Sequence, residues 1–154
     1  MMRSSVFDKN IHIECPEDFY EMDNNELKKY FASNMLRFGA RNAEKHMILS
    51  VGKMKSSFVN FLTDAQNVLN GAEHSLRTLK GYCCKNKFEE IIFGKKAKGL
   101  QFEYEATNGT KQLGEMAVVK LKSCFYVIYY LGQLADFDEA TKLFKDFRSS
   151  LRYI

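Results

Sequence analysis

The chain has 154 residues, of which 27% are charged and 45% hydrophobic, as in ordinary soluble globular domains. A domain of this length buries about 70% of the surface that its unfolded chain exposes, so it needs no disulfides to hold a core. The net charge of +4 is mild, and both signs are interleaved along the sequence. These values exclude disordered and fibrous classes and predict a single domain over residues 1–154.

The distribution of charge and the length of the apolar runs also limit which kinds of partner the chain can bind. The neighbouring lysines lie near acidic residues, which indicates a solvated surface and no nucleic-acid groove. The longest strongly apolar run, Cys124–Leu131, is too short to cross a membrane as a helix. The N-terminal stretch MMRSSVFDKN lacks the apolar segment of a signal peptide. The sequence therefore predicts a cytoplasmic protein with no membrane partner, or an exported protein if a leader has been removed.

The four cysteines, Cys15, Cys83, Cys84 and Cys124, show no spacing typical of a disulfide scaffold. We expect reduced, mostly buried thiols, as in cytoplasmic proteins. Because neighbouring side chains of a strand point to opposite faces, one of the adjacent thiols of Cys83 and Cys84 should lie in the core.

In chain order, the first predicted element is a short strand, Ile11–Cys15, which alternates apolar and polar side chains and stops at Pro16. Asp23 and Glu26 then form a capping-box pattern, which predicts a helix that runs to Phe31.

Residues 32–44 are polar, contain a glycine and have no clear period, so they predict a long connection. In the segment that follows, Met47, Leu49 and Val51 fall on one face of a predicted strand, with His46 on the other face.

A long helix is predicted next. Asp64 can cap its start, and Gly81 is expected to end it because helix C-termini favour the left-handed conformation. Residues 56–63 predict one more helical turn before it. The apolar side chains of the long helix recur at helical spacing: Val68, Leu69, Ala72, Leu76 and Leu79.

From residue 82 the apolar period changes from that of a helix to that of a strand, which predicts a four-stranded meander. The predicted strands are 84–93, 97–106, 111–121 and 124–131. Asn108-Gly109 is a strong hairpin signal, typical of a type I′ turn. The other two turns are expected at 94–95 and 122–123. The last strand is apolar on both faces, so we expect it at the centre of the sheet.

A C-terminal helix should cover this strand. Asp136 and Glu139 form a second capping-box pattern. The apolar stripe that follows consists of Ala140, Leu143, Phe144, Phe147 and Leu151. Grouped strands with helices before and after them predict an α+β domain, with a mainly antiparallel sheet of about six strands flanked by helices.

Residues with catalytic potential are few. His12, His46 and His74 are the bases expected near neutral pH, and the sequence gives none of them a local catalytic partner. His12 and Glu14 share a face of one strand, but the sequence offers no further close set of metal ligands, no phosphate-binding loop and no nucleophile elbow. Residues 98–105 depart from the RNA-recognition pattern at two stacking positions. We therefore expect no catalytic residues, no metal and no cofactor.

The connection predicted over Ser33–Asn42 is the candidate contact surface. It carries Met35 and Phe38 beside Arg37 and Arg41, a mixture of residue types that is enriched at protein interfaces. Burial of the apolar members against the sheet would explain the same residues equally well.

The order of elements resembles that of the PsbP-like fold, which is shared by PsbP, the Ran-binding factor Mog and DcrB. The stretches that carry the resemblance are ECPEDFYEM, the helix before the meander, FEEIIFGKKAKGLQFEYE, GEMAVVKLKSCFYVIYY and DFDEATKLFKDFRSSL. The resemblance implies an α/β/α sandwich in a small bacterial protein that acts by binding other proteins, as an adaptor, chaperone or assembly factor. It implies no shared catalytic residues.

Two hypotheses follow. The first is a non-enzymatic, cytoplasmic protein-interaction module, monomeric or weakly homo-oligomeric, that binds a protein partner and no nucleic acid. The alternative is a small-molecule-binding protein or an enzyme with a pocket between sheet and helix, in which Cys83 or Cys84 would act with a histidine. A histidine within hydrogen-bond reach of a thiol, or a polar-lined cleft, would favour the alternative.

Overall fold

The computed structural model describes residues 2–31, 35–54 and 62–154. Within these residues the chain forms ten β-strands and three α-helices. The strands are β1 (Met2–Phe7), β2 (Ile11–Pro16), β3 (Tyr20–Glu21), β4 (Met35–Asn42), β5 (Met47–Met54), β6 (Cys83–Ile92), β7 (Lys95–Glu105), β8 (Lys111–Leu121), β9 (Cys124–Gln133) and β10 (Arg152–Tyr153). The helices are α1 (Asn24–Tyr30), α2 (Ala65–Leu76) and α3 (Phe137–Ser150). The helical turn predicted at residues 56–63 lies mostly outside the described residues.

Seven strands form one antiparallel sheet in the order β3-β4-β5-β9-β8-β7-β6. β9, the strand predicted to be central, pairs with β5 on one side and β8 on the other. The predicted meander is confirmed as β6 to β9. The predicted α+β class with a mainly antiparallel sheet is also confirmed.

A second, three-stranded sheet has the order β1-β2-β10. The sequence predicted only β2, because β1 is largely exposed and polar and β10 has two residues. β10 pairs with β2 through Arg152 opposite His12 and Tyr153 opposite Ile11. This small sheet therefore joins segments that are far apart in sequence.

Both faces of the large sheet are covered, as the predicted sandwich requires. One face packs against α3 and the small sheet, in a core that includes Ile13, Leu49, Ile128, Tyr130, Phe144 and Phe147. The other face packs against α2, in a core that includes Leu69, Leu100, Phe102, Val118, Phe125 and Val127. β9 contributes to both cores, which explains its apolar sequence.

The hairpin predicted at Asn108-Gly109 is confirmed between β7 and β8, but its predicted turn type is wrong. Gly109 has a positive φ of 84°, whereas Asn108 does not have a positive φ. The Gly109 N–H donates to the Ala106 carbonyl at 2.9 Å. This is a type I turn followed by a left-handed glycine, a hairpin loop that needs only one positive φ.

The other two meander turns lie close to their predicted positions. The β6–β7 turn is at Phe93-Gly94, one residue earlier than predicted, and both residues have positive φ angles, of 55° and 71°. The β8–β9 turn is at the predicted residues, and Lys122 has a φ of 59°.

Two of the three predicted helix caps are confirmed. The Asp23 and Asp64 carboxylates accept hydrogen bonds from backbone N–H groups three residues further on, at 2.9 and 2.8 Å. The predicted capping box at Asp136 is wrong, since its side chain makes no cap hydrogen bond. A 3₁₀ turn over Leu134–Asp136 leads directly into α3 and replaces the extended residue that a cap needs.

The predicted end of the long helix is also wrong. α2 ends at Leu76, before Gly81. Beyond Leu76 the backbone bonds span three residues, as from the Leu79 N–H to the Leu76 carbonyl and from the Tyr82 N–H to the Leu79 carbonyl. Tight turns therefore replace the last predicted helical turn, and Gly81 has the expected positive φ of 70° within them.

The expectation of mostly buried thiols is wrong. Cys15 is buried and Cys124 half-buried, but both Cys83 and Cys84 are exposed. These two begin the edge strand β6, where a break in register between Cys84 and Asn86 disturbs the pairing with β7. The first five residues of β6 are exposed, so neither of the two thiols enters a core.

The long connection predicted over residues 32–44 is wrong as well. Its described part contains β4, which pairs along its whole length with β5 from Met35 opposite Met54 to Asn42 opposite Met47. The two arginines and the glycine of β4 conceal its strand period, because the sheet face that they occupy is only partly apolar.

Candidate functional site

Alternation along β4 divides the residues that were predicted to form a contact surface. Met35, Arg37, Gly39 and Arg41 point to the sheet face that also carries α1, while Phe38 points to the opposite face. Phe38 is 7% exposed and packs in the core beneath the small sheet. The strand therefore brings Met35 and Arg37 together on one surface and removes Phe38 from it.

Arg41 lies on the same face but at a different place. Its guanidinium is 3.2 Å from the Tyr30 hydroxyl, to which it donates, and 5.4 Å from the centre of the Tyr20 ring. Its Nε lies 3.4 Å from a Glu26 carboxylate oxygen. Arg41 thus connects α1 to the edge of the sheet.

A groove runs over the sheet between the C-terminal end of α1 and helix α2. Its volume is about 640 Å³. The floor is formed by Met116, Val118, Val127 and Tyr129, and the walls include Phe31 on one side and Val68 and Ala72 on the other. We call this cavity the Arg37 groove, because Arg37 is the charged residue among the described residues that line it.

Three methionines are among the described residues that line the Arg37 groove: Met35, Met54 and Met116. Methionine side chains are unbranched and polarizable, so they adapt to apolar partners of different shape. Such side chains are over-used on protein surfaces that accept varied segments.

The Arg37 guanidinium is held in place from several directions. It stacks over the Phe31 ring, with 4.2 Å from Cζ to the ring centre. It donates to the Ser50 Oγ at 3.2 Å and approaches the Met35 Sδ at 3.5 Å. It lies over Gly52, where a Cβ would be only 3.2 Å from Cζ. The Ser50 hydroxyl in turn donates to the Tyr129 carbonyl at 2.6 Å, which fixes the acceptor.

Arg37 has no carboxylate partner among the described residues, and its buried Nε has no hydrogen-bond acceptor there. Residues 1, 32–34 and 55–61, the rest of the chain, contain no Asp or Glu. Burial lowers the pKa of Arg37 from its usual value. An arginine nevertheless stays charged in proteins, so the groove holds a cation without an acid.

A second polar cluster lies beneath α3 and was not predicted. Arg148 pairs with the Glu90 carboxylate at 2.8 and 2.9 Å and with the Glu115 carboxylate. The Gln101 amide also donates to Glu115, at 2.9 Å. Burial raises the pKa of Glu115 more than its partners lower it. The sequence signal was present, since Glu115 falls on the core face of β8 between Leu113 and Ala117.

The three histidines lie in three different parts of the fold. His12 is in β2 and lies 3.5 Å from Glu14, so their predicted shared face is confirmed. His74 is in α2, and His46 lies in the turn before β5, with a φ of 54°, rather than in the predicted strand. Within residues 2–31, 35–54 and 62–154, no histidine is hydrogen-bonded to a thiol and no group of three acidic, histidine or cysteine side chains is placed to hold a metal.

Known proteins resemble this chain in structure rather than in sequence. No protein-family model and no curated protein matches it. Cyanobacterial PsbP from Synechocystis sp. PCC 6803 matches with a TM-score of 0.69 at 13% identity, over 99% of this chain and 92% of that one. The Ran-binding protein Mog1p of Saccharomyces cerevisiae matches with a TM-score of 0.59 at 9% identity, over 98% of this chain and 95% of that one. The chain has a PsbP-like fold.

A third structure with this PsbP-like fold is LpqN of Mycobacterium tuberculosis, a protein involved in cell envelope biogenesis. It matches with a TM-score of 0.57 at 15% identity, over 93% of this chain and 82% of that one. Identities this low establish the fold, and the activity of a PsbP-like chain has to be argued from its own site. In the described part of the chain, no helix has the length and apolar character needed to cross a membrane.

Proposed function

We propose that this PsbP-like chain is a non-enzymatic protein-interaction module, an adaptor, chaperone or assembly factor, that holds an apolar segment of a partner protein in the Arg37 groove. The observation that carries the proposal is the groove itself: an open cavity of about 640 Å³ with a largely apolar, methionine-rich lining. Segments that dock in such grooves present apolar anchors to them.

The wider setting of the groove supports the same function. Interfaces are enriched in methionine, arginine and aromatic side chains, and Met35, Arg37, Phe31 and Tyr129 supply these types at the end of the groove nearest α1. Among the structures with this fold, Mog1p is described as a Ran-binding protein. That likeness of fold favours a binding role and does not identify the partner.

We also propose that the module works in the cytoplasm. Cys83 and Cys84 are exposed free thiols at the edge of the large sheet. Exposed thiols persist in reducing compartments, where glutathione and thioredoxin keep them reduced.

Selection from a random peptide library on the wild-type protein tests the proposal. The selected peptides should bind a Gly71→Leu variant at least about tenfold more weakly, because a leucine at this position projects into the groove. Gly71 is exposed, and an added Cβ meets nothing within 4 Å, so this variant should fold. Asn70→Leu, on the same helix but outside the groove lining, is the matched control and should bind normally. Equal binding by wild type and Gly71→Leu would contradict the proposal.

The alternative, a small-molecule site, is favoured by one geometric observation. The groove volume of about 640 Å³ lies within the range of roughly 300–1,000 Å³ that is usual for small-molecule pockets. If the library yields no peptide but an amphipathic dye binds the wild type and is lost from Gly71→Leu, the small-molecule function replaces the proposed one.

A further inference from the structure

We infer that the segment bound in the Arg37 groove carries a carboxylate that pairs with the Arg37 guanidinium. This inference rests on the proposed function and names the chemistry of the partner. The carboxylate comes either from an Asp or Glu side chain or from a chain terminus, and apolar residues beside it occupy the methionine-lined part of the groove.

The first argument is the state of the guanidinium. Arg37 is half-buried, its two hydrogen-bonded acceptors are a hydroxyl and a thioether, and Nε has no acceptor among the described residues. A thioether sulfur is a weak acceptor. An incoming carboxylate can take two parallel hydrogen bonds from a guanidinium, which are stronger than bonds to neutral acceptors. Binding would therefore give the terminal nitrogens of Arg37 a stronger acceptor than the hydroxyl and thioether they now use, whereas the buried Nε stays out of reach.

The second argument is the contrast with Arg148, an arginine that is more deeply buried. Arg148 lies between the carboxylates of Glu90 and Glu115, so its charge is balanced within the fold. Arg37 lies in a groove whose described lining contains no Asp or Glu, and residues 1, 32–34 and 55–61, which lie outside the described part of the chain, contain none either. A cation that is partly removed from water and not balanced internally attracts an anion from outside.

The third argument is preorganisation. Phe31 stacks on the guanidinium, Gly52 lies beneath it, and Ser50 fixes one of its nitrogens. A side chain that is already ordered loses less conformational entropy when it binds. The geometry thus favours recognition over a general electrostatic attraction.

A carboxylate fits this site better than a phosphate does. Phosphate groups in proteins are usually recognised by clusters of arginines, whereas one arginine matches a single carboxylate in charge and shape. The groove lining within the described residues offers Arg37 and no second cation.

The test uses a peptide from the library selection that contains an acidic residue, made in three forms. The first form is unchanged, the second replaces the acidic residue by its amide, and the third has an amidated C-terminus. Wild type should bind the unchanged form at least about tenfold more tightly than the form in which the bound carboxylate is neutralised, because a hydrogen-bonded charge pair is lost. The form that loses affinity shows whether the carboxylate is a side chain or a terminus.

The Arg37→Gln variant should weaken binding of the unchanged peptide by a similar factor and leave the neutralised peptide almost unaffected. Arg37→Lys keeps the charge but loses the paired donors, so it should fall between Arg37→Gln and wild type. Lys29→Gln removes the same charge from an exposed position on α1, outside the described linings of both cavities that Arg37 borders, and is the matched control. Thermal unfolding of each variant checks that it is folded.

The outcomes separate the inference from the function. If neutral apolar peptides bind wild type as tightly as acidic ones, and Gly71→Leu still abolishes their binding, the carboxylate inference is wrong and the proposed function stands. An equal effect of Arg37→Gln on both peptide forms also overturns the inference. If no peptide binds the groove, the proposed function itself fails.

Discussion

At the scale of single residues, Arg148 links α3 to two strands of the large sheet. Its side chain is 5% exposed, and the Glu115 side chain beside it is 2% exposed. Two charges this far from water contribute little net free energy as a pair, but removal of one leaves the other buried and unbalanced. The structural role of the pair is therefore best tested by removing one member.

Arg148→Met should lower the free energy of unfolding by about 3–5 kcal/mol, because Glu115 would stay buried without a cation. Denaturation by urea, followed by circular dichroism, measures this loss. Combining Arg148→Met with Glu115→Gln also removes the buried, unbalanced carboxylate and should restore part of the stability. A loss below about 1 kcal/mol in the single variant, as for an exposed pair, would contradict the described burial.

The cysteines provide a second prediction at this scale. Cys15 is 6% exposed, and burial raises the pKa of its thiol from 9.0 to about 12. Since only the thiolate reacts with iodoacetamide, Cys15 should stay unmodified at pH 8 in the folded protein. Cys83 and Cys84 are exposed and should be alkylated. Peptide mass spectrometry reads out each site, and labelling in urea is the control in which Cys15 should react.

The same pKa shift predicts a pH dependence. The folded state keeps the Cys15 proton that the unfolded state releases near pH 9, so this contribution to stability is complete below pH 9 and declines as pH rises towards 12. Cys15→Ala should therefore show a smaller loss of unfolding free energy between pH 8 and pH 10.5 than wild type does. Rapid alkylation of Cys15 at pH 8 would contradict both expectations.

Some of these residue-level features could be predicted from sequence and others could not. The caps at Asp23 and Asp64 were predictable because a cap depends on residues within one turn. Asp136 fits the same pattern but makes no cap hydrogen bond. The 3₁₀ turn that links the end of β9 to α3 sets the backbone conformation there. The pairing of Arg148 with Glu115 required the tertiary arrangement.

At the scale of elements, glycines allow aromatic rings to lie across neighbouring strands. Gly114 in β8 faces Phe102 in β7, and a Cβ at position 114 would overlap the Phe102 ring. Phe102 is fully buried in the core beneath α2. The glycine is therefore part of the packing of β7 against β8 and cannot be replaced freely.

Gly114→Ala should destabilise the protein by about 1–3 kcal/mol, because the buried ring has no space to move into. Gly71→Ala is the matched comparison: position 71 is an exposed site within α2 with open space around it. It should stabilise the protein by about 0.5–1 kcal/mol through helix propensity. Thermal unfolding of both variants measures the two opposite shifts, and a stabilising Gly114→Ala would refute the described packing.

β4 shows where element prediction failed. The meander strands each have a regular alternation and a turn signal, so they were predictable. β4 has Arg37, Gly39 and Arg41 on one face. These residues contact the Arg37 groove and α1, so this face does not have the uniform apolar character of a core-facing strand. Its identity as a strand depends on pairing with β5, which local periodicity does not report.

At the scale of the whole molecule, the sandwich was predictable because a strand that is apolar on both faces requires two covers. Met35 and Arg37 were identified from their residue types, but the groove that contains them was not. It forms where α1, α2 and four strands meet, so it has no sequence signature. That no carboxylate of the described residues pairs with Arg37 is likewise a property of the assembled fold.

The pairing of β10 with β2 also sets an order for folding. β2 precedes its partner β10 by more than 130 residues, so the chain must be synthesised as far as Tyr153 before β10 can pair with β2. Contacts between such distant segments form slowly because a large loop must close first. In the interval, the unpaired edge of β2 is open to strands of other nascent chains, and misassembly during biosynthesis should begin there.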